Sequence, residues 1–89
     1  MLNAVTQKQI DDLLDHAKIA VTTIGTKTTL VHVILANSFE LIESSACVDP
    51  ANYNQKVGAE ICLERIKNKL WELEGYKLQC ELAPVVEDK

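Results

Sequence analysis

The sequence predicts an α+β fold: a small antiparallel sheet of three to four strands, packed by an N-terminal helix and a long C-terminal helix. Three observations predict it. Apolar residues recur at helical spacing near both ends of the chain. The middle carries β-branched runs separated by turn residues. The chain has only 89 residues, so folding hides about 60–65% of the surface that the unfolded form exposes. A core that small is marginal, and a dimer is expected. Residues 1–83 are read as one domain and 84–89 as a flexible tail.

The first helix is expected over residues 6–18. Thr6 suits an N-cap, and Ile10, Leu13, Leu14 and Ala17 recur at helical spacing. Asp11, Asp12 and Asp15 fall on the other side and read as a solvated face, because no further carboxylates complete a metal shell. Residues 19–24 are β-branched and fit a strand, followed by a turn at Gly25-Thr26-Lys27.

Residues 28–35 make the best strand. Leu30, His32 and Ile34 share one face, and Val31, Val33 and Leu35 the other. Both faces are largely apolar, so this strand is expected to be covered on both sides, by a helix on one and a second subunit on the other. Asn37-Ser38 suits a tight hairpin turn. Residues 39–44 then return as a third strand, with Phe39 and Leu41 on one face and Ile42 on the other.

Asp49-Pro50 is a helix-start signal, with Asp49 as N-cap and Pro50 at the first helical position. Asn54 caps the main helix, expected to run to about residue 72 or 74, with Gly75 as its stop. Residues 76–82 alternate in part and read as a last strand at the sheet edge.

Projected at roughly 100° per residue, Ala59, Cys62, Leu63, Ile66, Leu70 and Leu73 form one apolar face of the main helix. Arg65 and Lys69 fall at its boundary. Like charges four residues apart repel by roughly 0.2–0.5 kcal/mol on a helix, and the pair becomes useful if an anion sits over both. Gly58 lies on the same strip, either to admit a ligand or to let the helix pack closely on a strand. Glu72 is placed to neutralise Lys69. Val57, Ile61 and Trp71 make a second apolar strip, read as an oligomer interface, the alternative being a helix buried on two sides by its own chain.

Composition narrows the function. Hydrophobic residues are 47% and charged residues 25% of the chain, which is ordinary for a globular protein. No apolar run approaches the roughly 20 residues that span a bilayer, and the first residues do not form a signal peptide. A cytoplasmic protein without a membrane partner is expected. Net charge is −4, which argues against a nucleic-acid polymer as partner. Cys47, Cys62 and Cys80 are widely spaced without a Cys/His cluster. They read as free buried thiols, and no metal is expected.

Little points to catalysis. His16 is in a helix, and His32 reads as a satisfied core histidine. Ser44 and Ser45 read as loop and capping residues, since nothing pairs them with a histidine. No phosphate loop or nucleophile elbow occurs. The chain is expected not to be an enzyme and to need no cofactor.

From Asn37 onward the pattern becomes specific. It runs Asn37-Ser38-Phe39-Glu40-Leu41, then residues 44–54 with Asp49-Pro50-Ala51-Asn52-Tyr53-Asn54, then Gly58, then Leu70-Trp71-Glu72-Leu73-Glu74-Gly75-Tyr76. This resembles a small protein family of tailed bacteriophages that includes the first type of Thoeris anti-defence protein. About half the chain carries the resemblance strongly, and the earlier strands carry it loosely. The resemblance implies a homodimeric sponge in the host bacterial cytoplasm. Such a protein binds a cyclic ADP-ribose isomer made by TIR-domain enzymes and sequesters it without cleavage, so that Thoeris signalling is blocked.

The same resemblance implies a site between two subunits. Phe39 would stack on the base, Asp49 would meet the ligand before the helix, and Arg65 with Lys69 would hold the diphosphate. Two positions depart from what that chemistry favours. An amide would suit position 49 better beside a diphosphate, so Asp49 either meets a ribose hydroxyl or only caps the helix. Lys69 is a point charge where a guanidinium would grip phosphate twice. Relatives with an added helical hairpin form larger assemblies, for which this chain has no room. The alternative reading is a small phage protein-interaction module, an adaptor or inhibitor of a host protein that uses Val57, Ile61 and Trp71.

Overall fold

The computed structural model describes residues 3–83. In order, these form α1 (Gln7–Asp15), β1 (Lys18–Ile24), β2 (Thr28–Ile34), β3 (Glu40–Ala46), a 3₁₀ turn (Pro50–Asn52) and α2 (Gln55–Leu82). The predicted α+β fold is the observed one. The tail expected over 84–89 lies outside the described residues.

Local chemistry sets each boundary. Thr6 and Gln9 form a capping box at the start of α1: Gln9 N–H donates to Thr6 Oγ1, and Thr6 N–H donates to Gln9 Oε1. Gly25, at φ +68°, makes the turn between β1 and β2. The β2–β3 hairpin has a three-residue loop, Ala36-Asn37-Ser38, rather than the expected two. Leu35 N–H donates to Phe39 O, and Ser38 N–H donates back to Leu35 O. Ser38 takes the left-handed position at φ 76°, and Phe39 N–H donates to Asn37 Oδ1. This is the turn-plus-bulge geometry of three-residue hairpins. Asp49 caps the 3₁₀ turn and Asn54 caps α2, each through a side-chain oxygen.

The sheet runs β1-β2-β3, antiparallel throughout. Val31 pairs with Val21 on one side and Glu43 on the other. The face carrying Val31, Val33 and Leu41 packs under α2 and α1, with Ile10, Leu35, Cys62, Ile66 and Leu70 completing the core. α2 lies over β2 and β3 and barely reaches β1.

Several expectations need correction. Gly75 does not stop the helix, and residues 76–82 continue α2 instead of forming a strand. A stop of that kind needs a left-handed glycine, and among the described glycines only Gly25 has positive φ. The stretch is rich in Leu, Lys, Gln and Glu, which favour helix and outweigh the ~1 kcal/mol cost of one glycine. Leu73, expected in the core, is 42% exposed. At 1.5 Å per residue α2 is about 42 Å long, whereas seven-residue strands span about 23 Å, so its last turns overhang the sheet.

Within a single copy of the chain, the described helices cover one face of β2, the side on which a helix was expected. Leu30, His32 and Ile34 look out from the open side and are half-buried. His32 is accordingly no core residue: its Nε2 meets Glu40 Oε1 at 2.7 Å on that side. Ser44 and Ser45 belong to β3 rather than to a loop. Of the three free thiols only Cys62 is fully buried; Cys47 and Cys80 are half-buried.

Candidate ligand-binding groove

Arg65 and Lys69 project from α2 toward β3, the strand at one sheet edge. An edge strand leaves alternate carbonyls without a ladder partner. Arg65 takes one of them: Nη1 donates to Ser44 O at 2.8 Å. Lys69 Nζ is ion-paired with the Glu43 carboxylate. The Glu43 side chain is 16% exposed and that of Lys69 is 47%. Glu43 lies opposite Val31, so it faces the helix, and Lys69 is the cation within its reach there. The counter-ion expected for Lys69 was Glu72; Glu43 holds that place. The signal was present in the strand alternation, which puts Glu43 on the same face as Leu41.

Beyond this pair, β3 and α2 flank a concavity of about 430 Å³. Phe39, Leu41 and Leu73 supply apolar walls; Lys69, Glu40 and Glu72 supply charge. Phe39 is 48% exposed, which leaves ring surface available for stacking. Phe39 and Lys69 therefore share one groove. Arg65 lies one helical turn further along α2 and does not line it. Asp49 is not brought to it either. Its Oδ1 accepts from Ala51 N–H at 2.9 Å, which is the capping role left open by the sequence.

A second concavity, about 370 Å³, opens at the other end of β3, between Ser45, Cys47, Tyr53, Asn54, Val57 and Ile61. Behind it lies a hydroxyl cluster that sequence reasoning missed. Tyr53 OH meets Thr23 Oγ1 at 2.8 Å and Thr29 Oγ1 at 2.7 Å. Gln55 Nε2 donates to Thr23 Oγ1 at 2.9 Å. These bonds pin the start of α2 to the sheet. Gly58 completes the fit, because a Cβ there would stand 2.2 Å from Thr29 Oγ1. Of its two expected roles, Gly58 performs close helix–strand packing.

A family model described as the phage protein (N4 Gp49/phage Sf6 gene 66) family matches residues 5–82. The chain belongs to this phage protein family. The match runs from just before α1 to the last residue of α2, so it covers the whole helix–sheet–helix unit of this chain, including strands whose resemblance was loose. Neither the curated proteins nor the solved structures contain a significant match to the chain.

Other chemistry is sparse in this member of the phage family. Among the described residues there is no group of three or more His, Cys, Asp or Glu side chains placed to hold a metal ion. No described helix is long and apolar enough to cross a membrane. Burial pushes the Cys62 thiol up from its ordinary range, with the Arg65 charge pulling the other way and the Glu43 charge adding to the rise. Cys62 is thus a neutral packing group rather than a nucleophile.

Proposed function

We propose that this phage protein binds a cyclic ADP-ribose isomer in the host cytoplasm and sequesters it uncleaved, silencing TIR-driven Thoeris signalling. The observation that carries the reading is the shared groove of Phe39 and Lys69, with Arg65 one turn away. A nucleotide needs an apolar face for its base and cations for its diphosphate. The exposed Phe39 ring supplies the first, and Lys69 and Arg65 supply the second. Glu40 and Glu72 are acceptors for ribose hydroxyls. Asp49 would join from a second copy, offering a carboxylate oxygen to a ribose.

Binding then requires exchange of partners. The diphosphate displaces the Glu43 carboxylate from Lys69 and the Ser44 carbonyl from Arg65. A doubly charged group held by two cations outcompetes one carboxylate and one neutral carbonyl. Sequestration asks for affinity alone, so no acid, base or nucleophile enters the account.

The test is retention and release. The protein is incubated with the TIR-made cyclic nucleotide, freed of excess ligand, heated, and the supernatant is read by mass spectrometry. Intact nucleotide at about one equivalent per site supports the proposal. Absence of retained nucleotide overturns it, and accumulation of a cleaved product would make the protein an enzyme.

A second reading rests on a separate observation. Val57, Ile61 and Trp71 all stand exposed on α2, as a protein-interaction module requires. Capture of a host protein that depends on Trp71 and not on Arg65 would favour it.

A further inference from the structure

The charged lining of the Phe39–Lys69 groove is mostly acidic, although the groove is proposed for an anion. Glu40 and Glu72 line it beside a single ammonium, that of Lys69, and this ammonium is already paired with Glu43. Glu40 and Glu72 are both exposed. The Glu40 side chain is 60% exposed, and His32 Nε2 lies 2.7 Å from its Oε1. Glu72 follows Lys69 by three residues on α2, so the two share one side of the helix. A site that only collected anions would be lined by cations. On the nucleotide reading proposed for this groove, we infer that Glu40 and Glu72 form a charge filter. It admits a diphosphate whose two ends are hydroxyl-bearing sugars and rejects nucleotides that end in a free phosphate.

The chemistry of the two ligand classes differs at these carboxylates. An ionised carboxylate only accepts hydrogen bonds. Ribose hydroxyls can donate to it, whereas phosphate oxygens cannot and repel it. In a diphosphate joined to a sugar at each end, each phosphate carries a single negative charge. Lys69 and Arg65, about 6 Å apart along α2, can meet one each. A terminal phosphate brings up to about two negative charges at neutral pH. Among the described residues no further Lys or Arg lines the groove, so that phosphate falls against Glu40 or Glu72.

Selectivity of this kind needs a repulsive element as well as attractive ones. Nucleoside triphosphates are plentiful in any cytoplasm and would fill an unselective sponge. Carboxylates at the mouth of the groove keep them out at the cost of some affinity for every anion. Asp49, which the nucleotide reading brings from a second copy, would add a third carboxylate where an amide would suit a bare diphosphate better.

Paired titrations with the cyclic ADP-ribose isomer and with ATP test the filter. Wild type is expected to bind the isomer more tightly than ATP by on the order of tenfold or more. In the double variant Glu40→Gln with Glu72→Gln, ATP affinity is expected to rise by about tenfold, and each single variant shows part of that gain. The gain should shrink at high salt. Asp11→Asn with Asp15→Asn removes the same charge beside Ile19 of β1, and ATP affinity stays at the wild-type value. If wild type binds ATP as tightly as the isomer, or if the Glu variants melt like wild type and gain no ATP affinity, the filter is overturned and the nucleotide reading stands. If wild type fails to bind the isomer, that reading is overturned and the filter with it.

Discussion

Lys69 on α2 is ion-paired with Glu43 on β3, and the carboxylate is the more deeply placed partner. The pair occupies the cation nearest the Phe39 groove, so Glu43 acts as a built-in competitor for any anion that binds there. Glu43→Gln keeps the shape and removes the charge. Affinity for an anionic nucleotide is expected to rise by up to about fivefold, because one pairing worth about 1 kcal/mol no longer has to be broken. Titration of both forms at low and high salt checks this, and the difference should shrink as salt screens the pair.

Gly58→Ala should destabilise the fold despite alanine's better helix propensity. The gain is about 1 kcal/mol. The added methyl would stand 2.2 Å from Thr29 Oγ1 and 2.7 Å from Thr29 Cβ, and overpacking of a tight contact costs about 1–3 kcal/mol. Thr29 is fully buried and held by Tyr53, so it has little room to yield. A melting temperature equal to or above wild type would contradict the packing role.

Tyr53→Phe removes the hydroxyl that links Thr23 and Thr29. The loss should be about 1–2 kcal/mol. In a domain of this size each kcal/mol lowers the melting temperature by about 4–8 °C. Hydrogen exchange should also quicken at the first turn of α2, which those bonds pin.

The three thiols should differ in reactivity. Cys62 is buried and its thiol is shifted upward by that burial, so it stays protonated to higher pH than a free cysteine. Cys47 and Cys80 are half-buried. Timed alkylation with mass mapping should label these two first and reach Cys62 only on unfolding. Early labelling of Cys62 in the native protein would argue against its place in the core.

Much of the architecture was legible because local signals agreed with the global fold. Thr6, Asp49 and Asn54 are caps whose side chains each satisfy a backbone N–H, and the Val31–Val33 face pairs with the Cys62–Ile66–Leu70 stripe. The C-terminal end was misread because Gly75 is a stop only when its backbone turns left-handed, which sequence does not display. The groove was legible in part. Arg65 and Lys69 were placed at the rim of the core face, where they lie. Their partners, Ser44 O and Glu43, depend on which strand lies at the sheet edge, and strand order is not written in local pattern. Asp49 is a cap in this chain.

The central claim is that Phe39, Arg65 and Lys69 hold one nucleotide. Calorimetric titration with the cyclic ADP-ribose isomer tests it most directly, with wild type compared against Phe39→Ala, Arg65→Ala and Lys69→Ala. The account expects saturable binding by wild type and a loss of tenfold or more in each variant, since a stacked base or a charge-assisted phosphate contact is worth about 1.5–3 kcal/mol. Absence of binding by wild type, or equal binding by all four folded proteins, would contradict it.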